Sequence, residues 1–356
     1  MSIAVNTNAL KNVFNSIRTV SSNKTAYDFS NLCLMEFKDG KLTVSATDYE
    51  FYLKVSTNTG QSGLYSAVVN SIRFADVLAN LQNEITEIKF DDRHIKITNG
   101  RSNFKFSTAD VSPPEFPQMP SQKVSINGNL FKEMLKTVEH AVPKGQDSTC
   151  SGIYVKAEHE TFNVFATDSY RLAVVSLKAS TPSFSFTLPA KVVKILSKLN
   201  TGDSISLYHD GGSFAVLEDT ENQWVLYIRL LDCPVIDYQS ILNSFVSSCS
   251  FEVDKAVMLS ALKPFSALEF ESVDLMVNNN TVKLHASTAD DEANDEIEVA
   301  GSGTADVTVN LKFLTDGFDM MNSGNVSVAV DNENKIIMIE QIKDDVELKE
   351  IIATKA

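Results

Sequence analysis

Asp48 and Asp168 each close the same phrase, Ala-Thr-Asp, at the end of a run that alternates apolar and polar side chains. Carboxylates repeated in this way could hold the metal ion of a nuclease, or each could cap a turn through its own backbone. The strand-end position favours the cap. The acidic run Asp290, Asp291, Glu292, Asp295, Glu296, Glu298 lacks the D-x-[DN]-x-[DN]-G register of a calcium loop and reads as a solvated or partner-facing loop. His94, His140, His159, His209 and His285 stand apart from one another, so no ligand set or general base is expected of them. No G-x-x-x-x-G-K-[ST], G-x-G-x-x-G, G-x-S-x-G or H-E-x-x-H occurs. The four cysteines, Cys33, Cys150, Cys233 and Cys249, are scattered without a C-x-x-C pair, which predicts free thiols in a reducing, cytoplasmic compartment. No catalytic residue, metal site or cofactor is expected, and the chain does not read as an enzyme.

The elements around these residues repeat. Leu42-Thr-Val-Ser-Ala-Thr-Asp48 returns as Phe162-Asn-Val-Phe-Ala-Thr-Asp168 and more faintly as Val282-Lys-Leu-His-Ala-Ser-Thr288. Each copy alternates as a half-buried strand does. Phe74, Leu78 and Leu81 occupy one helical face, and Val192, Leu196, Leu199 and then Leu314, Phe318, Met321 repeat that spacing in phase. A second helical set precedes each: Leu10, Val13, Phe14, Ile17; then Phe131, Leu135, Val138; then Val257, Ala261, Leu262. The rest reads as strands. Ile95 to Phe106 is a hairpin with Asn99-Gly100 as a type I′ turn. Ile205–Leu207 and Phe214–Leu217 flank Asp210-Gly211-Gly212, and Val326–Val330 pairs with Ile336–Ile339. Trp224 and the phenylalanine-rich strands are core. The expected fold is α+β: six strand–helix–strands units, two per domain, with helices on one face of antiparallel sheets. Prolines 113, 114, 117 and 120 close the first third, and Leu231–Pro234 with the polar stretch 243–250 closes the second. The domains are 1–121, 122–249 and 250–356.

The 356 residues carry 46 acids and 31 bases, a net charge of −15, which at face value opposes a nucleic-acid partner. The charge is segregated, however. The six helical stretches (10–18, 71–82, 130–144, 190–199, 255–265, 311–321) hold twelve bases against five acids, a net +7, leaving −22 elsewhere. Six equivalent helices in a symmetric arrangement face one way, and a weakly positive lining that touches phosphates without reading bases suits movement along DNA of any sequence. No run approaches 18 apolar residues, so no helical membrane span is expected, and Met1 to Lys11 lacks the basic flank and apolar run of a signal peptide.

Ala166-Thr-Asp-Ser-Tyr-Arg-Leu-Ala173 resembles the A-T-D-G-x-R-L-A signature of the bacterial DNA polymerase III beta subunit family, the sliding clamps. Ala46-Thr-Asp-Tyr-Glu50, Arg101-Ser-Asn-Phe-Lys-Phe-Ser-Thr108 with Glu115-Phe-Pro117, Leu231-Asp232 with Asp237-Tyr238, and Val253-Asp254 to Leu262 are similar to further segments of that family, in order along the whole chain. The departures are Ser169 for a usual glycine, Val235-Ile236 within the family's F-P-D-Y, and an end reading Ile352-Ala-Thr-Lys-Ala356.

The resemblance implies a head-to-tail homodimer, a ring of six domains with twelve helices lining a hole for duplex DNA. Its implied partners are an alpha-type polymerase of DNA polymerase III, the clamp loader and other replication and repair proteins; no membrane is involved. DNA contact is implied for Lys24 and Gln146, to which Lys191, Lys194 and Lys198 add the densest helix charge. A partner-peptide groove is implied for Cys150, Thr167, Ser169, Tyr170, Arg171, Leu172, Ile236, Ser240, Ile241, Ile352, Ala353, Thr354 and Lys355, with Arg171 on its rim and Leu172 the residue best suited to cementing domains. The dimer junction sets Phe104 and Phe106 opposite Phe265 and Leu268, with Arg73 and Arg101 facing the run that holds Glu296 and Glu298. Two alternatives are a clamp-like paralogue that binds replication proteins without encircling DNA, and a carboxylate-dependent DNA-processing enzyme.

Overall fold

The computed structural model describes residues 2–22, 29–61, 63–91, 93–144, 150–158 and 160–355. Each third of the chain builds two four-stranded antiparallel half-sheets. In the first third these are β1 (Ser2–Asn6), β6 (Ile85–Asp91), β7 (His94–Asn99), β8 (Ser102–Ser107), and β5 (Leu64–Asn70), β2 (Leu32–Lys38), β3 (Lys41–Thr47), β4 (Phe51–Asn58). Helix α1 (Thr7–Ile17) follows β1, and α2 (Ser71–Ala79) follows β5. The second third repeats this with β9 (Lys123–Ile126), β14 (Ile205–Tyr208), β15 (Phe214–Asp219), β16 (Trp224–Arg229), and β13 (Phe184–Pro189), β10 (Gly152–Glu158), β11 (Thr161–Thr167), β12 (Arg171–Lys178). Its helices are α3 (Gly128–Val138) after β9 and α4 (Lys191–Leu196) after β13. The last third has β17 (Cys249–Asp254), β23 (Asn325–Asp331), β24 (Ile336–Lys343), β25 (Val346–Ala353), and β22 (Thr304–Asn310), β18 (Ser272–Asn278), β19 (Thr281–Ser287), β20 (Glu292–Glu298). Helix α6 (Lys255–Ala267) follows β17 and α7 (Leu311–Met320) follows β22. Outside the repeat lie α5 (Tyr238–Ser244) and the short β21 (Ala300–Ser302), which pairs with β17.

The helices start where a short polar side chain can accept their orphan N–H groups. Asn6, Asn70, Asn127, Asn310 and Asp254 each accept from backbone N–H groups of the first turn. The expected apolar faces are buried, with one correction. Val257 is 48% exposed, and α6 instead turns Met258, Ala261, Leu262 and Phe265 inward. A second correction concerns the first hairpin. Asn99 is paired with Ser102, so Gly100 and Arg101 form the loop, and Gly100 takes φ 62 at its first position, as a type II′ turn requires. Asn99 cannot serve in the turn because its amide is buried, donating to Asn83 O, Ile85 O, Thr7 and Thr86.

The half-sheets pool across the thirds. Strand β4 pairs with β16 to make an eight-stranded sheet, and β12 pairs with β25 to make a nine-stranded one. Two compact units result: residues 1–132 with 191–230, and residues 133–190 with 231–356. The middle third is therefore divided between them, because each of its half-sheets is hydrogen-bonded to a different neighbour. The end half-sheets, bounded by β8 and β20, pair with no further strand among the described residues.

Candidate functional site

In the second unit, β11 and β12 meet at a tight turn, Asp168-Ser-Tyr170. The Asp168 carboxylate accepts from the N–H groups of Tyr170 and Arg171, and Thr167 Oγ donates to Arg171 O. Asp48 does the same for Glu50 and Phe51 in the first unit, which confirms both aspartates as caps. The turn puts Ser169 at φ 75, a left-handed conformation that disfavours a side chain, and leaves Tyr170 67% exposed. Beneath it lies an apolar cluster of Tyr154, Phe165, Leu172, Val174, Tyr238 and Ile351, against which Val235, Leu242, Cys150, Ile336 and Met338 pack. Tyr238 packs on Phe165 with ring centres 4.5 Å apart, tilted by 48°, and so fastens α5 over the cluster. Asp237 caps α5, accepting from Ser240 N and Oγ. Ile236 and Ile241 stay 37% and 38% exposed on this segment, and Ala353 N donates to Tyr170 O on the other side. Thr354 is half-buried and Lys355 exposed, its N–H bonded to Thr308 O.

Three of the expected groove residues do other work. Leu172, 3% exposed, is part of the floor under the segment, whereas Ile352, 0% exposed, pairs opposite Arg171 and so lies on the other face of the sheet, away from the groove. Arg171 is no rim: its side chain is 4% exposed, donating to Asp168 at 3.1 Å, Asp316 of α7 at 2.7 Å and His140 O at 2.6 Å, with Phe313 4.3 Å beneath. A fixed planar fork of donors suits Arg to such a junction. Burial alone would raise the Asp316 carboxyl, but its Arg171 and Lys312 partners hold it below the usual carboxylate range. Next to this lies Glu350, wholly buried, accepting from His140 Nε2 at 3.1 Å while its other oxygen has no hydrogen-bond partner. Burial works against a charged His140, yet the Glu350 carboxylate raises its proton affinity above the ordinary value. Single-sequence reasoning missed Asp316, Glu350 and α5. It also missed a readable signal: Asp219-Thr-Glu-Asn222 and Asp331-Asn-Glu-Asn334 are matching hairpin turns, each closed by its aspartate.

Cys150 and Cys233 correct the expectation of four free thiols. They form a disulfide, Cα–Cα 6.0 Å, between residues 83 apart in sequence. Sequence spacing carries no signal for such a pair, which depends on the two Cα atoms meeting in space. Cys33 and Cys249 are free and buried.

Half of the twelve helix bases are engaged within their own unit. Lys11, Lys132 and Lys255 donate to carbonyls at or beside the last turns of α2, α4 and α7 (Leu81 O, Leu199 O, Met321 O), a device repeated in every third. Cations there complement the helix dipole. Arg18 pairs with Asp76, Lys312 with Asp316, and Lys191 with Asp48. Lys191 is thus already neutralised, whereas Lys194 and Lys198 are exposed, as are Arg73, Lys136, Lys144 and Lys263. Lys24 and Gln146 lie outside the described residues.

Residues 1–120 match the family DNA polymerase III beta subunit, N-terminal domain, and residues 125–232 match its central domain. This chain belongs to the DNA polymerase III beta subunit family. It is 26% identical over 305 residues to the beta sliding clamp of Streptomyces coelicolor, covering 82% of this chain and 80% of that one. It is 23% identical over 367 residues to the beta sliding clamp of Helicobacter pylori J99, covering 97% and 95%. The fold is that of the Pseudomonas aeruginosa DNA polymerase III beta subunit, TM-score 0.90 at 19% identity over the whole of both chains. It also matches the Helicobacter pylori beta clamp bound to a DNA ligase peptide, TM-score 0.89 at 21% identity over the whole of both chains.

In this chain the two half-sheets that join no other end in β8 and β20. On β8, Phe104 and Phe106 are half-buried, and Phe106 lies against Phe74 at 4.7 Å. Arg73 and Arg101 are exposed. On β20, Glu298 is exposed and Glu296 faces Lys283 of its own sheet at 3.4 Å. Leu268 is 45% exposed, but Phe265 is 1% exposed, packed near Phe270, and belongs to its unit's core rather than to any junction surface.

Proposed function

We propose that the chain is a processivity clamp, a non-catalytic accessory to a DNA polymerase III alpha-type polymerase. It acts as a head-to-tail homodimer of three domains per protomer (1–121, 122–249, 250–356) closed around duplex DNA. One observation carries this reading. Six equivalent half-sheets occur; four of them join in pairs through the same last strand, β4 to β16 and β12 to β25, and the two left over end in β8 and β20. A second copy satisfies both of these edges, β8 of one protomer against β20 of the other, and removes the hazard that they would pose if left open. Charge sets the register: Arg101, Lys105 and Arg73 lie on or beside the β8 edge, and Glu292, Asp295, Glu296 and Glu298 lie on β20. Lys194, Lys198 and the other exposed helix bases supply a weak, sequence-independent attraction to phosphate. The Tyr170, Ile236, Ile241 surface takes an extended peptide with one or two apolar anchors, from polymerase, loader or repair proteins.

The wild-type chain is expected to show a native mass of about 78 kDa, twice the 39.2 kDa protomer. It should be retained on circular DNA and released on linearisation. Phe104→Asp is expected to yield monomers at micromolar concentration. Equal retention on both DNA forms refutes encirclement, and a monomeric wild type favours the paralogue that binds replication proteins alone.

A further inference from the structure

The docking surface sits on a segment with few backbone anchors. From Leu230 to Asp237 the chain is in neither helix nor strand, and its anchors include Leu230 N on Ser213 O, Leu231 N on Thr187 O, Thr187 Oγ on Cys233 O, and the packing of Val235 and Tyr238 on the apolar cluster. The Cys150–Cys233 disulfide joins this segment to a residue two positions before β10. Cys150 also packs against the apolar cluster under α5, beside Val235 and Leu242. Both cysteines are only half-buried, within reach of a reductant, whereas Cys33 and Cys249 are buried and their thiols are pushed up by that burial.

We propose that Cys150–Cys233 is a reversible redox staple that keeps the segment bearing Ile236 and Ile241 in its docking conformation; its effect on partners rests on the docking reading given above. With the bond intact the segment is ordered before a peptide arrives, so less conformational entropy is lost on binding. Reduction requires a dithiol, which supplies two electrons and two protons. Its thiolate attacks one Sγ, the Sγ–Sγ bond breaks, and its second thiol resolves the mixed disulfide, leaving two cysteine thiols and an oxidised dithiol. The freed segment then keeps its packing through Tyr238 and Val235 and its hydrogen bonds to Thr187 and Ser213, but loses its one covalent tie among the described residues.

The test uses the full chain in three forms: air-oxidised, dithiothreitol-reduced, and Cys233→Ser. Alkylation of the unfolded chain followed by mass measurement should find two reactive thiols in the oxidised form and all four cysteines after reduction. Amide hydrogen exchange across 234–244 should quicken about tenfold on reduction and in Cys233→Ser, with β18 and β19 unchanged. A fluorescent copy of the DNA ligase peptide from the Helicobacter pylori complex should bind the reduced form and the variant about tenfold more weakly. Reoxidation should restore the wild type only. Four alkylated cysteines in the oxidised chain overturn the proposal, as does exchange that ignores redox state. Redox-dependent exchange with unchanged peptide affinity overturns its link to docking. Redox-dependent exchange with no peptide binding to any form supports the staple and refutes the docking reading.

Discussion

Replacing Arg171 by Met should destabilise the second unit far more than it alters any surface. The guanidinium joins the β11–β12 turn through Asp168, helix α7 through Asp316 and the end of the α3 segment through His140 O, all at 3.1 Å or less. Its side chain is 4% exposed and the two carboxylates 17% each, so removing the cation leaves both largely desolvated. Breaking a buried pair in this way costs about 3–5 kcal/mol. Lys312, 2.9 Å from Asp316 and itself well exposed, compensates one carboxylate and places the expectation near the lower bound, about 3 kcal/mol. For a unit of this size that lowers Tm by roughly 6–12 °C. Urea titration of the full chain, followed by far-UV circular dichroism and calorimetry, measures it. A cycle with Asp316→Asn should return a coupling above about 1 kcal/mol. A loss under about 1 kcal/mol for Arg171→Met, or no coupling, would refute the junction role and return Arg171 to the peptide surface.

Tyr170→Ala, in contrast, should leave stability unchanged and abolish peptide-dependent polymerase stimulation; persistent processive synthesis would disprove the groove. Ser169→Gly should raise stability by up to about 1 kcal/mol by relieving the φ 75 conformation, read from the urea midpoint. Glu350 raises the proton affinity of His140 above its ordinary 6.5, so the pair's contribution is complete below that pH and fades as pH climbs through the raised folded value. The stability difference between wild type and His140→Gln should therefore shrink as the pH rises above 6.5, and a pH-independent difference would contradict it. Lys194→Glu with Lys198→Glu should keep the fold and reduce the slope of log affinity for DNA against log salt by about 2; an unchanged slope would remove this helix from the DNA-facing set.

The threefold repeat was legible because each half-sheet needs the same alternating strands followed by a helix, five of the six helices opening on an Asn or Asp cap, and those demands act over a few residues. The caps at Asp48 and Asp168 were legible for the same reason, since a side chain bonding its own backbone two or three residues on is a local event. Helix α5 escaped notice because its seven residues are too few for a 3.6-residue period to show, and it is Tyr238 on Phe165 that holds it in place. Val257 and Met258 are adjacent and both apolar, so composition could not choose between them; packing did. The basic residues show the limit most plainly. Sequence counted twelve charges on six helices, and only the fold revealed that Lys11, Lys132 and Lys255 are spent on neighbouring helix ends and Lys191 on Asp48. Arg171 with Asp316 and Cys150 with Cys233 are likewise partners 145 and 83 residues apart. Local chemistry determines which elements form, because capping, turn and periodicity energies act between near neighbours. Which charges are free, which edges are open and which cysteines meet depends on distances that exist only once the half-sheets have paired.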